Sequence, residues 1–162
     1  YRELWIAEAG WSPPAEKDYP QLASADIMTP VVVGGVTPVG SGWELEAQEA
    51  EREVLRVDWD ANPDPWTAYL DAECLNTMRL ALRARRPGDV FQPLGLRGGA
   101  KSVREAMIGA KLPQWARARY PLVWDGEQIV WLPGLGIDER ARLRPASRRV
   151  LVLTLRRRED RV

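Results

Sequence analysis

Residues Arg83 to Pro121 read RARRPGDVFQPLGLRGGAKSVREAMIGAKLPQWARARYP, and the rest of the chain is organised around them. Just before and into this stretch, Met78 to Arg85 alternates strictly. Met78, Leu80, Leu82 and Ala84 fall on one face, and Arg79, Ala81, Arg83 and Arg85 on the other, which predicts a strand, apolar inside and arginine-bearing outside. Pro87-Gly88-Asp89 turns the chain. Gly95 to Ser102, GLRGGAKS, exposes backbone N–H groups. From Lys101 to Ala110, apolar residues recur at Val103, Ala106, Met107 and Ala110, one stripe of a helix. Lys101 and Arg104 fall opposite that stripe, and Lys111 joins them only if the helix continues past Gly109 toward Pro113, both of which favour an end. Pro113 suits the start of a second short helix ending at Tyr120 and carrying Arg117 and Arg119. Clustered cations beside a glycine loop at a helix start are suited to holding phosphates. The bland alternative for each cation is a solvated surface face.

The same loop brushes the nucleotide-binding pattern G-x-x-x-x-G-K-[ST]. It keeps Gly95, Lys101 and Ser102 but has Ala100 where the last glycine belongs, and VFQPL is a poor buried strand before it. A nucleotide-binding enzyme is therefore the weakest of the readings.

Working outward, the zero net charge of the 162 residues conceals a division. Residues 1–75 hold 4 basic and 15 acidic side chains, a net of −11; residues 76–162 hold 19 and 8, a net of +11. That asymmetry predicts two units and a polyanionic partner for the second, or two halves that dock on each other. There is no histidine, which removes histidine-based catalysis and metal binding, and the single Cys74 excludes an internal disulfide and the usual zinc sites. No apolar run is long enough for a membrane span. A chain opening on Tyr1 rather than Met is expected to be an excised piece.

The acidic half reads as short strands joined by turns. Strands are expected at Tyr1–Ile6, Thr29–Val39 (broken at Gly34-Gly35), Trp43–Ala47, Arg52–Trp59 and Trp66–Leu70, with a proline-rich loop at Trp11–Pro20. The stripe Glu44, Glu46, Glu49, Glu51, Glu53 reads as a solvated strand face or edge protection rather than an ion site. Trp5, Trp11, Trp43, Trp59 and Trp66 are core candidates. Further on, Asp125-Gly126 predicts a tight hairpin between Pro121–Trp124 and Gln128–Leu132. Arg149 to Arg156 is apolar on both faces, as in a central strand.

The ordered set Arg83, Arg85, Pro87, Gly88, Asp89, Phe91, Pro93, Gly95, Gly98, then Lys101, then Lys111, Pro113, Arg117, Pro121, Leu122, then Ile129, Trp131, Gly134 resembles the C-terminal domain of bacterial tRNA(Ile)-lysidine synthases. Trp66 to Leu75 resembles the segment leading into it. Val90 and Ser102 depart from the pattern, each removing a charge common there. The resemblance implies an α+β fold: a strand-rich N-terminal segment, then a small β-sandwich-like domain with one or two short helices, like a module of the phenylalanyl-tRNA synthetase β chain. It divides the chain into an acidic linking, substrate-binding region (1–73) and a basic tRNA-binding domain (74–162). With the charge pattern above, RNA contact is expected at Arg83, Arg85, Arg86, Lys101, Arg104, Lys111 and Arg117, with no catalytic residue and no metal site in this chain. The partner would be isoleucine tRNA with a CAU anticodon, whose wobble cytidine the whole enzyme joins to lysine. ATP with magnesium, and the lysine, would be handled by a catalytic domain bearing an SGGxDS loop, a string this sequence lacks. A cytoplasmic setting is expected, and a homodimer is compatible with it. The alternative of another class is a protein-interaction module whose acidic and basic halves dock.

Overall fold

A computed structural model describes residues 18–55 and 64–158. The strand expected at Tyr1–Ile6, most of the Trp11–Pro20 loop, and Trp5, Trp11 and Trp59 lie outside these residues. Arg52–Val54 forms a turn, and the rest of the strand expected there falls largely outside them too.

The strands are β1 (Thr29–Pro30), β2 (Gly35–Gly40), β3 (Trp43–Glu51), β4 (Thr67–Asp71), β5 (Ala81–Arg83), β6 (Val90–Phe91), β7 (Lys101–Ser102), β8 (Leu122–Trp124), β9 (Ile129–Leu132), β10 (Gly136–Ile137) and β11 (Arg149–Arg157). Two short helices, α1 (Val103–Gly109) and α2 (Gln114–Arg117), lie between β7 and β8. A four-stranded antiparallel sheet runs β2-β3-β11-β4, a five-stranded one β1-β5-β8-β9-β10, and β6-β7 is a separate ribbon. The chain is thus strand-rich α+β.

The two larger sheets face each other across one core. Leu45, Ala47, Leu70, Leu151, Leu153 and Leu155 from the first meet Leu82, Val123, Val130 and Trp131 from the second. Each fully buried leucine contributes about 2 kcal/mol through removal of its apolar surface from water. The five-stranded sheet is buried on its other face as well. There Leu122, Ile129 and Leu132 pack under Phe91, Val103, Met107 and Leu112. This second core explains why α1 needs only one apolar stripe and no length of its own.

The sequence halves share these sheets. β11 lies hydrogen-bonded between β3 and β4, and β1 pairs with β5, so strands from either side of the expected boundary at residues 73–74 belong to the same layers. Gly34, with φ of 88°, sits where the chain passes from β1 in one sheet to β2 in the other. β3 is flanked by β2 and β11, so its glutamates do not protect an edge. They form an ion-pair face instead: Arg156 bonds Glu44 at 3.0 Å and also Glu46, and Arg149 bonds Glu49 at 2.9 Å. Arg156 stands directly across from Glu44 in the register, where opposite charges are favourable.

The hairpin after β8 is wider than a two-residue turn. Asp125 Oδ1 accepts from the amides of Glu127 and Gln128, so its carboxylate holds a four-residue loop, Asp125 to Gln128. Trp43 and Trp66 meet at 5.4 Å between ring centroids, Trp43 buried and Trp66 half-buried.

Candidate nucleic-acid interface

The strand expected over Met78–Arg85 is only three residues long. Thr77–Arg79 is a 3-10 turn with Met78 exposed, and the side chain of Arg83 is 7% exposed. Arg83 therefore does not stand on an outer face. Its guanidinium bonds Asp89 through two nitrogens, at 2.8 and 3.1 Å, and lies 5.2 Å from the Trp124 ring centre. Asp89 also takes the Arg86 amide, so the carboxylate closes the turn over Pro87-Gly88 from both sides. The Asp89 carbonyl accepts from Val103 N at 3.0 Å, which sets this turn against the first residue of α1. Arg85, half-buried with its Nε buried and unpaired, and Arg86, exposed, directly precede the turn so fixed; Arg86 lies 5.9 Å from the Trp124 ring centre.

Lys101 does not begin the helix, as its periodicity suggests, but sits on β7 opposite Phe91. Ser102 is the N-cap, its Oγ accepting from Glu105 N at 3.0 Å. The Ser102–Glu105 spacing is the sequence signal of that cap. With the first turn capped and carrying Glu105, the seven-residue α1 does not act as an anion site. Nor does the glycine loop fit a nucleotide triphosphate. The strand before it, β6, has two residues, and the Gly98 amide is already bound by Glu139 at 3.0 Å.

Two cations are held in left-handed backbone, Arg97 at φ 48° and Lys111 at φ 58°. Lys111 closes α1: its amide donates to the Ile108 carbonyl, and the Leu112 amide donates to the Met107 carbonyl, a paired ending normally completed by glycine. A side chain kept in such backbone against its preference marks a position to test for function. Lys111→Gly is expected to raise stability by about 1 kcal/mol by relieving this strain, while weakening RNA binding. Thermal unfolding and an RNA titration on the same variant check both signs.

Of the arginines near α2, Arg117 Nε donates to the Leu112 carbonyl at 2.9 Å, which fixes its side chain against the end of α1. Arg119 reaches the Leu22 carbonyl at 3.2 Å. Ion pairing separates several of the basic residues. Arg83, Arg140, Arg149, Arg156 and Arg157 are ion-paired. Arg85, Arg97, Lys101, Arg104 and Lys111 make no ion pair among the described residues, and Arg86 makes none but helps lower the Asp89 pKa by its charge; Arg79, Arg142, Arg144, Arg148 and Arg158, elsewhere in the fold, make none either. The six from Arg85 to Lys111 run from just after β5 to two residues past α1. Of these, sequence reasoning overlooked Arg97, whose only signal was a cation between glycines.

The scaffold beneath rests on buried carboxylates. Asp138 is fully buried and accepts from Gln92 N, Arg140 N and the Arg140 guanidinium, all within 2.8–2.9 Å. Burial pushes its pKa up, but those donors outweigh it and hold the carboxyl below the ordinary 3.8. Asp89 and Asp71 are lowered against burial in the same way, chiefly by Arg83 and by Ser147 respectively. A carboxylate with a depressed folded pKa stabilises the fold fully above the unfolded pKa and loses that contribution as pH falls through the folded value. Stability is therefore expected to be level above about pH 5 and to fall below about pH 4. Urea midpoints measured across that range check it.

Comparison with known proteins places this scaffold. Residues 80–153 match the family described as the TilS substrate C-terminal domain. The tRNA(Ile)-lysidine synthase of Dehalococcoides mccartyi is 38% identical over 120 residues, covering 73% of this chain and 25% of that protein. That of Geobacter sulfurreducens is 31% identical over 127 residues, 75% of this chain and 25% of the relative. The chain thus spans about a quarter of the length of these relatives. A crystal structure of the TilS C-terminal domain superposes with a TM-score of 0.69 at 25% identity, covering 81% of this chain and 96% of that one. Coverage of that extent takes in acidic strands before residue 80 as well as the matched family segment. Over residues 80–153 the chain belongs to the C-terminal domain family of the tRNA(Ile)-lysidine synthases.

Proposed function

We propose that this chain is the tRNA-gripping part of a tRNA(Ile)-lysidine synthase, holding the RNA backbone through Arg85, Arg86, Lys101, Arg104 and Lys111. The observation that carries this reading is the division of the cations. Arg149 and Arg156 of β11 are answered by the acidic face of β3 and Arg157 by Asp18, whereas the cations from Arg85 to Lys111 make no ion pair among the described residues. Cations without internal partners exchange counterions for phosphates at little structural cost. Arg83 acts differently from its neighbours: its bond to Asp89 positions the turn that presents Arg85 and Arg86. Arg117, tied to Leu112, contributes through the donors its Nε bond leaves over.

In this reading the whole enzyme joins lysine to the wobble cytidine of isoleucine tRNA with a CAU anticodon, using ATP with magnesium in the cytoplasm. Residues outside this chain carry that chemistry. The docking of basic on acidic strands is also present, and it uses a different set of arginines, so the two readings do not compete for the same side chains. Titrating the chain with an isoleucine tRNA transcript at low salt tests the proposal. Saturable binding that weakens as salt rises supports it; no binding at low salt refutes it.

A further inference from the structure

Between α1 and the glycine loop the surface opens into a cleft of about 420 Å³, walled by Phe91, Leu94, Leu96, Ala106 and Leu135. Its volume lies in the range of about 300–1,000 Å³ typical of small-molecule sites. Leu94 and Leu96 are 54% and 49% exposed, large for leucines that border a core. One charged side chain lines the cleft. Lys101 extends along it, with Nζ 3.8 Å from where a Cβ on Gly109 would lie, and has no carboxylate partner among the described residues. Glu139, the carboxylate that touches the loop, is turned onto the Gly98 amide. Arg97 and Lys111 occupy the segments bordering the cleft, in strained backbone. An apolar wall with one unanswered ammonium, rimmed by cations, suits a ligand with a flat apolar body and an attached anion.

We propose that this cleft receives one unstacked nucleotide of the bound RNA, its base against Leu94, Leu96 and Leu135 and its phosphate on Lys101. The inference rests on the RNA-gripping reading and adds a base contact to it. Single-stranded bases are readily splayed onto apolar and aromatic protein surfaces, whereas paired ones are not. A contact of this kind discriminates between RNAs of equal charge, which the phosphate grip does not.

The test compares three RNAs by fluorescence anisotropy with the 162-residue chain: a blunt duplex, the same duplex with a single-stranded tail, and that duplex with an abasic tail carrying the same phosphates. The base-bearing tail is expected to bind about 10-fold tighter than the abasic one. Leu94→Ser/Leu96→Ser, at exposed positions, should abolish that preference and leave duplex binding unchanged, with thermal unfolding confirming the fold. Equal affinity for the two tails, or a preference that survives the double substitution, overturns the cleft while leaving the phosphate grip standing. Failure of all three RNAs to bind overturns both. Sedimentation covers the remaining occupant: a dimer abolished by Leu94→Ser/Leu96→Ser would assign the cleft to a second copy and overturn the proposal.

Discussion

Asp138→Ala is expected to lower the folding free energy by about 3 kcal/mol, read as a shift in the urea midpoint at unchanged slope. The side chain is fully buried and joins two segments far apart in sequence. It accepts the Gln92 amide just after β6 and caps the 3-10 turn Glu139–Ala141 through the Arg140 amide. Alanine would leave the Gln92 donor without its partner, remove the cap and strand the Arg140 guanidinium, which Asp138 now holds through two contacts. An unsatisfied buried donor costs about 1–3 kcal/mol and a lost cap about 1. Asp138→Asn keeps the shape and one acceptor oxygen and should cost roughly half as much. Because the Gln92 and Glu139 segments flank the glycine loop, with Gly98 bonded to Glu139, the alanine variant should also loosen the cleft. Equal stability of Asp138→Ala and wild type would show that this carboxylate does not hold the loop.

The second large effect concerns RNA. Lys101→Ala/Arg104→Ala/Lys111→Gly is expected to weaken tRNA binding on the order of 100-fold at low salt. Three charge contacts, from exposed Arg104 and Lys111 and half-buried Lys101, of up to about 1 kcal/mol each account for that factor. None of the three makes an ion pair among the described residues, so their removal should leave the fold intact. The Lys111→Gly component should even offset a small loss elsewhere.

Much of the architecture was legible in the residues. The alternation of Trp43 to Ala47 and the two-faced apolar run of Arg149 to Arg156 identified β3 and β11, and Val103, Ala106 and Met107 identified α1. Their assembly was not legible, because β11 slides between strands some hundred residues earlier in the chain. The same distance hid which arginines are paired: Arg156 meets Glu44 and Glu46, and no local pattern announces it. Arg83 misled for a different reason. Alternation separates inside from outside only when one face of a sheet meets water, and the five-stranded sheet is covered on both faces. Its partner was nonetheless visible six residues on, across the Pro87-Gly88 turn, as Asp89. The helix start was displaced because periodicity marks a face and not an end, while the Ser102 cap marks the end itself.

The central claim is that this protein's cations divide into those used by the fold and those left for RNA. The most direct measurement is the salt dependence of tRNA binding for wild type, for Lys101→Ala/Arg104→Ala/Lys111→Gly, and for Arg149→Ala/Arg156→Ala. The slope of log affinity against log salt should fall by about one for each phosphate-contacting cation removed. It should therefore drop by about three in the first variant and remain at the wild-type value in the second. Equal slopes in all three proteins, or a drop in the second variant alone, would contradict the division.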